Sequence, residues 1–201
     1  MDEQKRKSVL IVDDEKSNII VLTNILSAEY KIFAVKDSRE AVKVAEENMP
    51  DVILLDIIMP EMDGYDVIAA LKNSKKAKDI PVIFITGLNN NEAEEKGLAL
   101  GAVDFIPKPF SPIVVKLRVE NQIKLAAKER LEYMNRVRGE FLSRMSHEML
   151  NPMNVIIGMT QVIKMQSIPN EIKGHVDEID TASNNLLKMV NELLDVSNME
   201  Y

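Results

Sequence analysis

At 201 residues, 46% hydrophobic and 28% charged, the chain is long enough for one compact domain followed by a smaller element. Its formal net charge of -7 at pH 7, with no basic stripe interleaved with aromatics, argues against direct binding of nucleic acid or an anionic membrane surface. The absence of cysteine excludes disulfides and thiolate-held metal, and fits a reducing compartment.

Residues 1–7, MDEQKRK, read as a disordered tail that leads straight into a short strand, so no signal peptide is expected. The longest apolar runs are strand-sized and broken by Asp or Pro, far short of the roughly 20 residues of a membrane helix. A cytoplasmic location without a membrane span is expected. From Ser8 to about Phe110, β-rich runs alternate with segments of helical period, the pattern of a parallel sheet covered by helices on both faces. Strands are predicted at Ser8 to Val12, Lys31 to Val35, Val52 to Asp56, Pro81 to Thr86 and Asp104 to Ile106. Amphipathic helices are predicted near Asn18 to Glu29, Ser38 to Asn48, Gly64 to Asn73 and Asn91 to Leu100, with Ser38 as an N-cap and Gly101 as a C-terminal stop.

A fifth helix begins near Ser111 and runs to about Gln166 with one internal proline, Pro152, while Leu131, Met134, Val137, Phe141, Met145 and Met149 recur at threes and fours. About 55 residues of helix span roughly 80 Å, which calls for a partner. After the turn signal SIPN, Ser167 to Asn170, a second apolar stripe (Ile172, Val176, Ile179, Leu186, Leu187, Val190, Leu193, Leu194, Val196) predicts a helical hairpin. Two helices bury little apolar surface alone, so a dimeric four-helix bundle is expected: a parallel homodimer with a coiled coil around residues 115–145.

The strand ends of the first part carry the chemistry. In a doubly wound sheet they open onto one edge, where the ligand crevice lies. Asp13 and Asp14 follow the first strand, Asp56 ends the third, Thr86 the fourth, and Lys108 follows the fifth. Crowded carboxylates repel unless a cation sits among them, and an all-oxygen set suits Mg²⁺. Lys108 would add a point charge for phosphate oxygens, Thr86 a hydroxyl donor, and Asp56 a nucleophile. An isolated Asp at a strand end is most often a solvated loop residue; the combination DD, LLDIIMPEMDG, ITG and IPKPF at successive strand ends is not.

That set resembles the response-regulator receiver domain over roughly Ser8 to Gln122. The resemblance implies a flavodoxin-like, doubly wound, five-stranded parallel sheet. It makes Asp56 the phosphoacceptor and Asp14 and Asp56 direct Mg²⁺ ligands, with Asp13 acting mainly through water and the Ile58 backbone carbonyl as a further ligand. Thr86 and Lys108 become the phosphate-sensing pair, Phe105 the switch aromatic, and Lys108-Pro109 a cis peptide.

The second part carries His147 in FLSRMSHEMLNPMNVIIGM, with Glu148 beside it and Asn151 one turn on. A lone helical histidine is more often structural than catalytic. This run, with the later NNLLKMVNELLDVSNME, resembles the dimerisation and histidine phosphotransfer domain of sensor histidine kinases over roughly Arg138 to Tyr201. The resemblance implies that His147 accepts the γ-phosphoryl of ATP, that Glu148 is its general base, and that Asn151 positions water for dephosphorylating a partner receiver. Leu150 stands where the family often has a basic residue. His175 reads as a surface residue. No glycine-rich nucleotide lid is present, so ATP is expected only through a catalytic domain not in this chain.

The expected organisation is a tail (1–7), a receiver domain (8–122), a coiled-coil linker helix (123–137) and a dimerisation and phosphotransfer hairpin (138–201). The expected function is a two-component phosphorelay of the protein-histidine kinase family, with no ATP-dependent activity of its own. Its expected partners are a second copy, a kinase ATP-binding domain, and other receiver or phosphotransfer proteins. Alternative readings are a phosphotransfer or phosphatase protein and a dimeric docking scaffold.

Overall fold

The structure, a computed structural model, describes residues 6–87, 91–166 and 169–199, with side chains described except at 91–94, 171 and 193–199. Two compact units make up the chain, Met1–Lys128 and Glu129–Tyr201.

In the first unit, five strands form one parallel sheet in the order β2-β1-β3-β4-β5. They are β1 (Ser8–Val12), β2 (Lys31–Val35), β3 (Val52–Asp56), β4 (Val82–Thr86) and β5 (Asp104–Pro107). Between them run α1 (Lys16–Leu26), α2 (Ala41–Asn48), α3 (Gly64–Asn73) and α4 (Asn91–Ala99), and α5 (Pro112–Lys164) follows. β1, β3 and β4 are buried along their whole length, which is why they read as unbroken apolar runs rather than alternating ones. Leu10, Val12, Ile53, Leu55 and Phe84 face Ala41, Ala45, Val67 and Leu71 on one side of the sheet. Val9, Ile11, Leu54, Ile83 and Ile85 face Leu22, Leu26, Val115 and Val119 on the other. Each fully buried aliphatic side chain contributes about 1.5–3 kcal/mol, so these two layers hold the strand ends in place.

Several local expectations are corrected. Ser38 does not cap α2: a 3₁₀ turn (Ser38–Glu40) precedes that helix, and Asp37 caps the turn by accepting the Arg39 N–H. α1 is offset to Lys16–Leu26 rather than Asn18 to Glu29. Arg6 and Lys7, assigned to the tail, are tied to the fold, because Lys7 accepts the Lys31 N–H at 2.9 Å and pairs with Asp51 at 2.8 Å. Gly101 does end α4, with φ 96° and the Ala102 N–H returning to the Gly97 carbonyl, a closure that a residue without Cβ makes at least cost.

In the second unit, the residues of α5 from Glu129 onward pair with α6 (Asn170–Met199). Ser146, Met153 and Thr160 are buried on α5, and Val176, Ser183 and Val190 on α6. Both sets recur every seven residues, the narrow seam of a coiled-coil contact. Lys164 reaches Asp177 at 2.9 Å and Asp180 at 2.6 Å, and Thr160 reaches Asp180 at 3.3 Å. These links across the turn end make the pair antiparallel. The predicted turn residues Ser167 and Ile168, and the side chains of Leu193, Leu194 and Val196, lie outside the described residues. Among the described residues no helix is long and apolar enough to cross a membrane.

Candidate phosphoryl-transfer sites

The connection from β1 runs to β2 on one side and the connection from β3 runs to β4 on the other, so a crevice opens between the ends of β1 and β3. Asp13 and Asp14 come from one wall and Asp56 from the other. Carboxylate oxygens from all three lie within 4.8 Å of one another, close to the roughly 4 Å between ligands on opposite sides of one Mg²⁺. Asp13 is fully buried and Asp56 is 3% exposed.

Asp13 is held on every side. It accepts the Glu15 N–H at 2.8 Å, the Asn18 amide at 3.0 and 3.1 Å, and the Lys108 ammonium at 3.3 Å. Asp14 accepts no hydrogen bond from the described residues, which leaves its oxygens for a cation. Lys108 Nζ lies 2.7 Å from Asp56 Oδ2. Three carboxylates against one ammonium leave the cleft negative, and the donors are oxygens only, so the residues fit Mg²⁺.

Burial pushes the Asp56 carboxyl above its ordinary value; the Lys108 hydrogen bond pulls it down, the Asp13 charge adds to the rise, and the net direction is upward. For Lys108, burial acts downward, but the hydrogen bond and charge of Asp56, with Asp13, outweigh it and hold the ammonium above its usual range. Thr86 is buried at the end of β4, where its carbonyl accepts the Lys108 N–H at 2.8 Å. The Lys108-Pro109 peptide is cis. Ile58, next to the cleft, donates its N–H to the Asp56 carboxylate while its side chain is exposed.

Phe105 is partly buried, with its ring centroid 5.9 Å from Phe84, which in turn meets Tyr65 edge-on at 5.6 Å. Two glycines that sequence reasoning passed over matter here. A Cβ on Gly64 would stand 2.3 Å from the Asp56 carbonyl and 2.8 Å from Ile57 Cα, so only glycine lets α3 start this close to the end of β3. A Cβ on Gly97 would meet Phe105 Cζ at 2.9 Å and Phe84 Cδ2 at 3.0 Å. Asn18 was also missed; its amide reaches Asp13, five residues back, once the first turn of α1 forms. The Asp-Gly step after the strand was the one local signal available for Gly64.

In the second unit His147, Glu148 and Asn151 are all exposed on α5, beside the buried seam residue Ser146. His175 is exposed on α6, with Glu178 at 4.0 Å. Thr160 and Lys164 meet Asp180 near the turn end of the hairpin, so His175 is close to that end and far along the hairpin from His147.

Family models match two stretches of the chain: the response regulator receiver domain over residues 9–120, and the His Kinase A (phospho-acceptor) domain over residues 137–201. A probable cyclic di-GMP phosphodiesterase of Vibrio cholerae is 40% identical over 124 residues, 62% of this chain and 28% of that protein. Histidine kinase P4 of Formosa agariphila is 34% identical over 130 residues, 63% of this chain and 10% of that protein. The chain thus spans well under a third of the length of these two relatives. Among solved structures, the receiver domain of a Pseudomonas aeruginosa sensor histidine kinase, with a magnesium ion coordinated in its active-site cleft, is 27% identical. It superposes with a TM-score of 0.56 over 59% of this chain and 98% of that one. The receiver match alone covers more than half of the chain, so the chain belongs to the response regulator receiver family, and a stretch similar to the phospho-acceptor domain follows it, a pairing of two-component signalling.

Proposed function

We infer that the chain carries two phosphoryl acceptors, Asp56 in a receiver domain (8–122) and His147 in a phosphotransfer hairpin (138–201), joined through a linker helix (123–137). The observation that carries this reading is the convergence of Asp13, Asp14, Asp56 and Lys108 from three separate strand ends into one buried, negatively charged cleft.

At the first site a carboxylate oxygen of Asp56 attacks the donor's phosphorus. A bond from that oxygen to phosphorus forms as the bond from phosphorus to the donor's leaving atom breaks, and the leaving group takes the electron pair. Lys108, already beside Asp56, offers its ammonium to the incoming phosphoryl oxygens, and Thr86 donates its hydroxyl to the same group. Asp13, Asp14, Asp56 and the Ile58 carbonyl would hold Mg²⁺, which supplies positive charge against the carboxylates and the phosphoryl group. Asn18 and the Glu15 N–H keep Asp13 in place. Phe105 is the aromatic that answers a movement of Thr86.

At the second site the imidazole of His147 is the acceptor, Glu148 orients the ring and takes its proton, and Asn151 positions water for hydrolysis of an acyl phosphate on a partner receiver. ATP would serve His147 through a kinase ATP-binding domain acting on the phosphotransfer hairpin. Apolar residues left exposed on α5 and α6, among them Met145, Met149, Ile156, Ile179 and Leu186, support a homodimeric four-helix bundle. Because α5 contributes residues to both units, it is the element through which Asp56 phosphorylation acts on His147.

Incubation with acetyl phosphate and Mg²⁺ should add one phosphoryl mass to the chain and none to Asp56→Asn. Addition of a separately supplied kinase ATP-binding domain with labelled ATP should label the wild type and not His147→Gln. No phosphoryl adduct under the first condition would overturn the receiver reading, and no label under the second would overturn the kinase reading.

A further inference from the structure

The loop from Ile58 to Asp63 joins the Asp56 strand to α3, and it holds a backbone conformation that its sequence disfavours. Glu61 has φ 66°. The Met62 N–H donates to the Pro60 carbonyl at 2.8 Å, so Glu61 is the centre of a γ-turn with positive φ, the rare and strained form. Glycine enters that conformation freely, whereas glutamate keeps it only where the surroundings over-determine it.

Arg39 meets the side chain of this turn residue. One guanidinium nitrogen reaches Glu61 Oε2 at 2.7 Å. Its Nε and its other terminal nitrogen grip the Asp37 carboxylate at 2.9 and 2.7 Å, and Asp37 also accepts the Arg39 N–H at 3.0 Å. The fork is therefore anchored at its base before it reaches across. An exposed ion pair of two free side chains contributes little; here one partner is pre-set, and the other sits on a strained turn that the pair can hold or release. The loops after β2 and β3 that the pair connects line one cavity of ≈ 300 Å³, with Asp14, Met59 and Pro60 in its wall.

We propose that Arg39 is a positioning residue for the cation cleft. By pinning Glu61 in its turn, it fixes the course of Ile58, Met59 and Pro60 beside Asp14, and so the approach of the Ile58 carbonyl to the ion. This rests on the reading of the carboxylate cleft as a Mg²⁺ site. Partners behind a metal ligand are worth about tenfold or more in affinity, and because Arg39 acts through a loop, its removal should cost about fivefold.

The test is calorimetric Mg²⁺ titration of the whole chain as wild type, Arg39→Ala, Glu61→Gly and the double variant, with circular dichroism confirming that each is folded. Arg39→Ala should bind Mg²⁺ about fivefold more weakly, less than the tenfold or more lost with a direct partner of a metal ligand. Glu61→Gly should bind nearly as wild type, and the double variant should match Glu61→Gly, because glycine needs no anchor at positive φ. Arg39→Lys, which keeps the charge and loses the fork, should fall in between. Wild-type affinity in Arg39→Ala, or an equal loss when Arg39 is removed from the Glu61→Gly background, would overturn the proposal while leaving the metal site standing. A wild-type chain that gives no Mg²⁺ isotherm would overturn the metal reading and this inference with it.

Discussion

Lys108 Nζ stands 2.7 Å from Asp56 Oδ2, an ion pair between residues 52 positions apart. The ammonium lowers the Asp56 pKa against the upward push of burial, and it occupies the place where phosphoryl oxygens would arrive. Its removal should have two effects of opposite sign. In Lys108→Met the cleft loses the positive charge that compensates its carboxylates, so Mg²⁺ should bind more tightly. Modification of Asp56 by acetyl phosphate should slow by about 10²-fold, the usual cost of one charge-stabilising donor. Calorimetry and intact-mass time courses would read the two effects, and a parallel loss of both would contradict the assignment.

The raised Asp56 carboxyl has a consequence for stability. Because its folded pKa lies above the unfolded one, the native chain binds more protons between the two values, and stability falls as pH rises through that window. In Mg²⁺-free buffer the wild type should therefore gain stability relative to Asp56→Asn as pH is lowered from about 7 toward about 4. Urea midpoints of the two proteins across that range check the sign; a constant difference would show that burial does not shift this group.

Gly64 has no room for a side chain, since an added Cβ would sit 2.3 Å from the Asp56 carbonyl. Gly64→Ala should destabilise the receiver unit by about 1–3 kcal/mol through overpacking, toward the upper end because the obstructing atoms are backbone. Chemical denaturation would measure it.

Gly97→Ala is a different case. The Cβ meets the rings of Phe105 and Phe84 at 2.9 and 3.0 Å, and rings can move, while alanine within α4 gains about 1 kcal/mol of helix propensity. Stability should change little, but Phe105 should be displaced. Fluorine NMR of labelled phenylalanine should show a shifted Phe105 resonance and a smaller response to acetyl phosphate. An unchanged Phe105 signal would remove the role given to Gly97.

Phe141 is 60% exposed on α5, too large an apolar group to stand repeatedly beside Val137 and Met145 without a covering partner. Phe141→Asp should weaken self-association of the chain by tenfold or more, ~1.4 kcal/mol. The intramolecular seam of Met153, Val176 and Val190 should keep the hairpin helical. Sedimentation and circular dichroism together would distinguish loss of the dimer from loss of the fold.

Most of the elements could be read along the chain because their causes are local. β3 is an unbroken apolar run since both its faces are covered, Gly101 stops α4 since the position needs positive φ, and α5 shows its period over many turns. Boundaries failed where a cap competed with its neighbour, as Asp37 did with Ser38. The proposed acceptors Asp56 and His147 stood out through their surrounding motifs, whereas Gly64, Gly97 and the Arg39–Glu61 pair left no comparable trace, because each acts on atoms distant in sequence or on backbone.

From residue order alone came the kinds of element, the acidic and basic strand ends, and the histidine helix, all set by forces acting over a few residues: hydrophobic period, backbone propensity and capping. Tertiary structure alone decided which of those ends meet. The strand order β2-β1-β3-β4-β5 places the end of β1 beside that of β3 and lets Lys108 reach Asp13 across 95 positions and Asp56 across 52. That arrangement comes from covering both faces of a parallel sheet at once, which no local stretch of sequence can express.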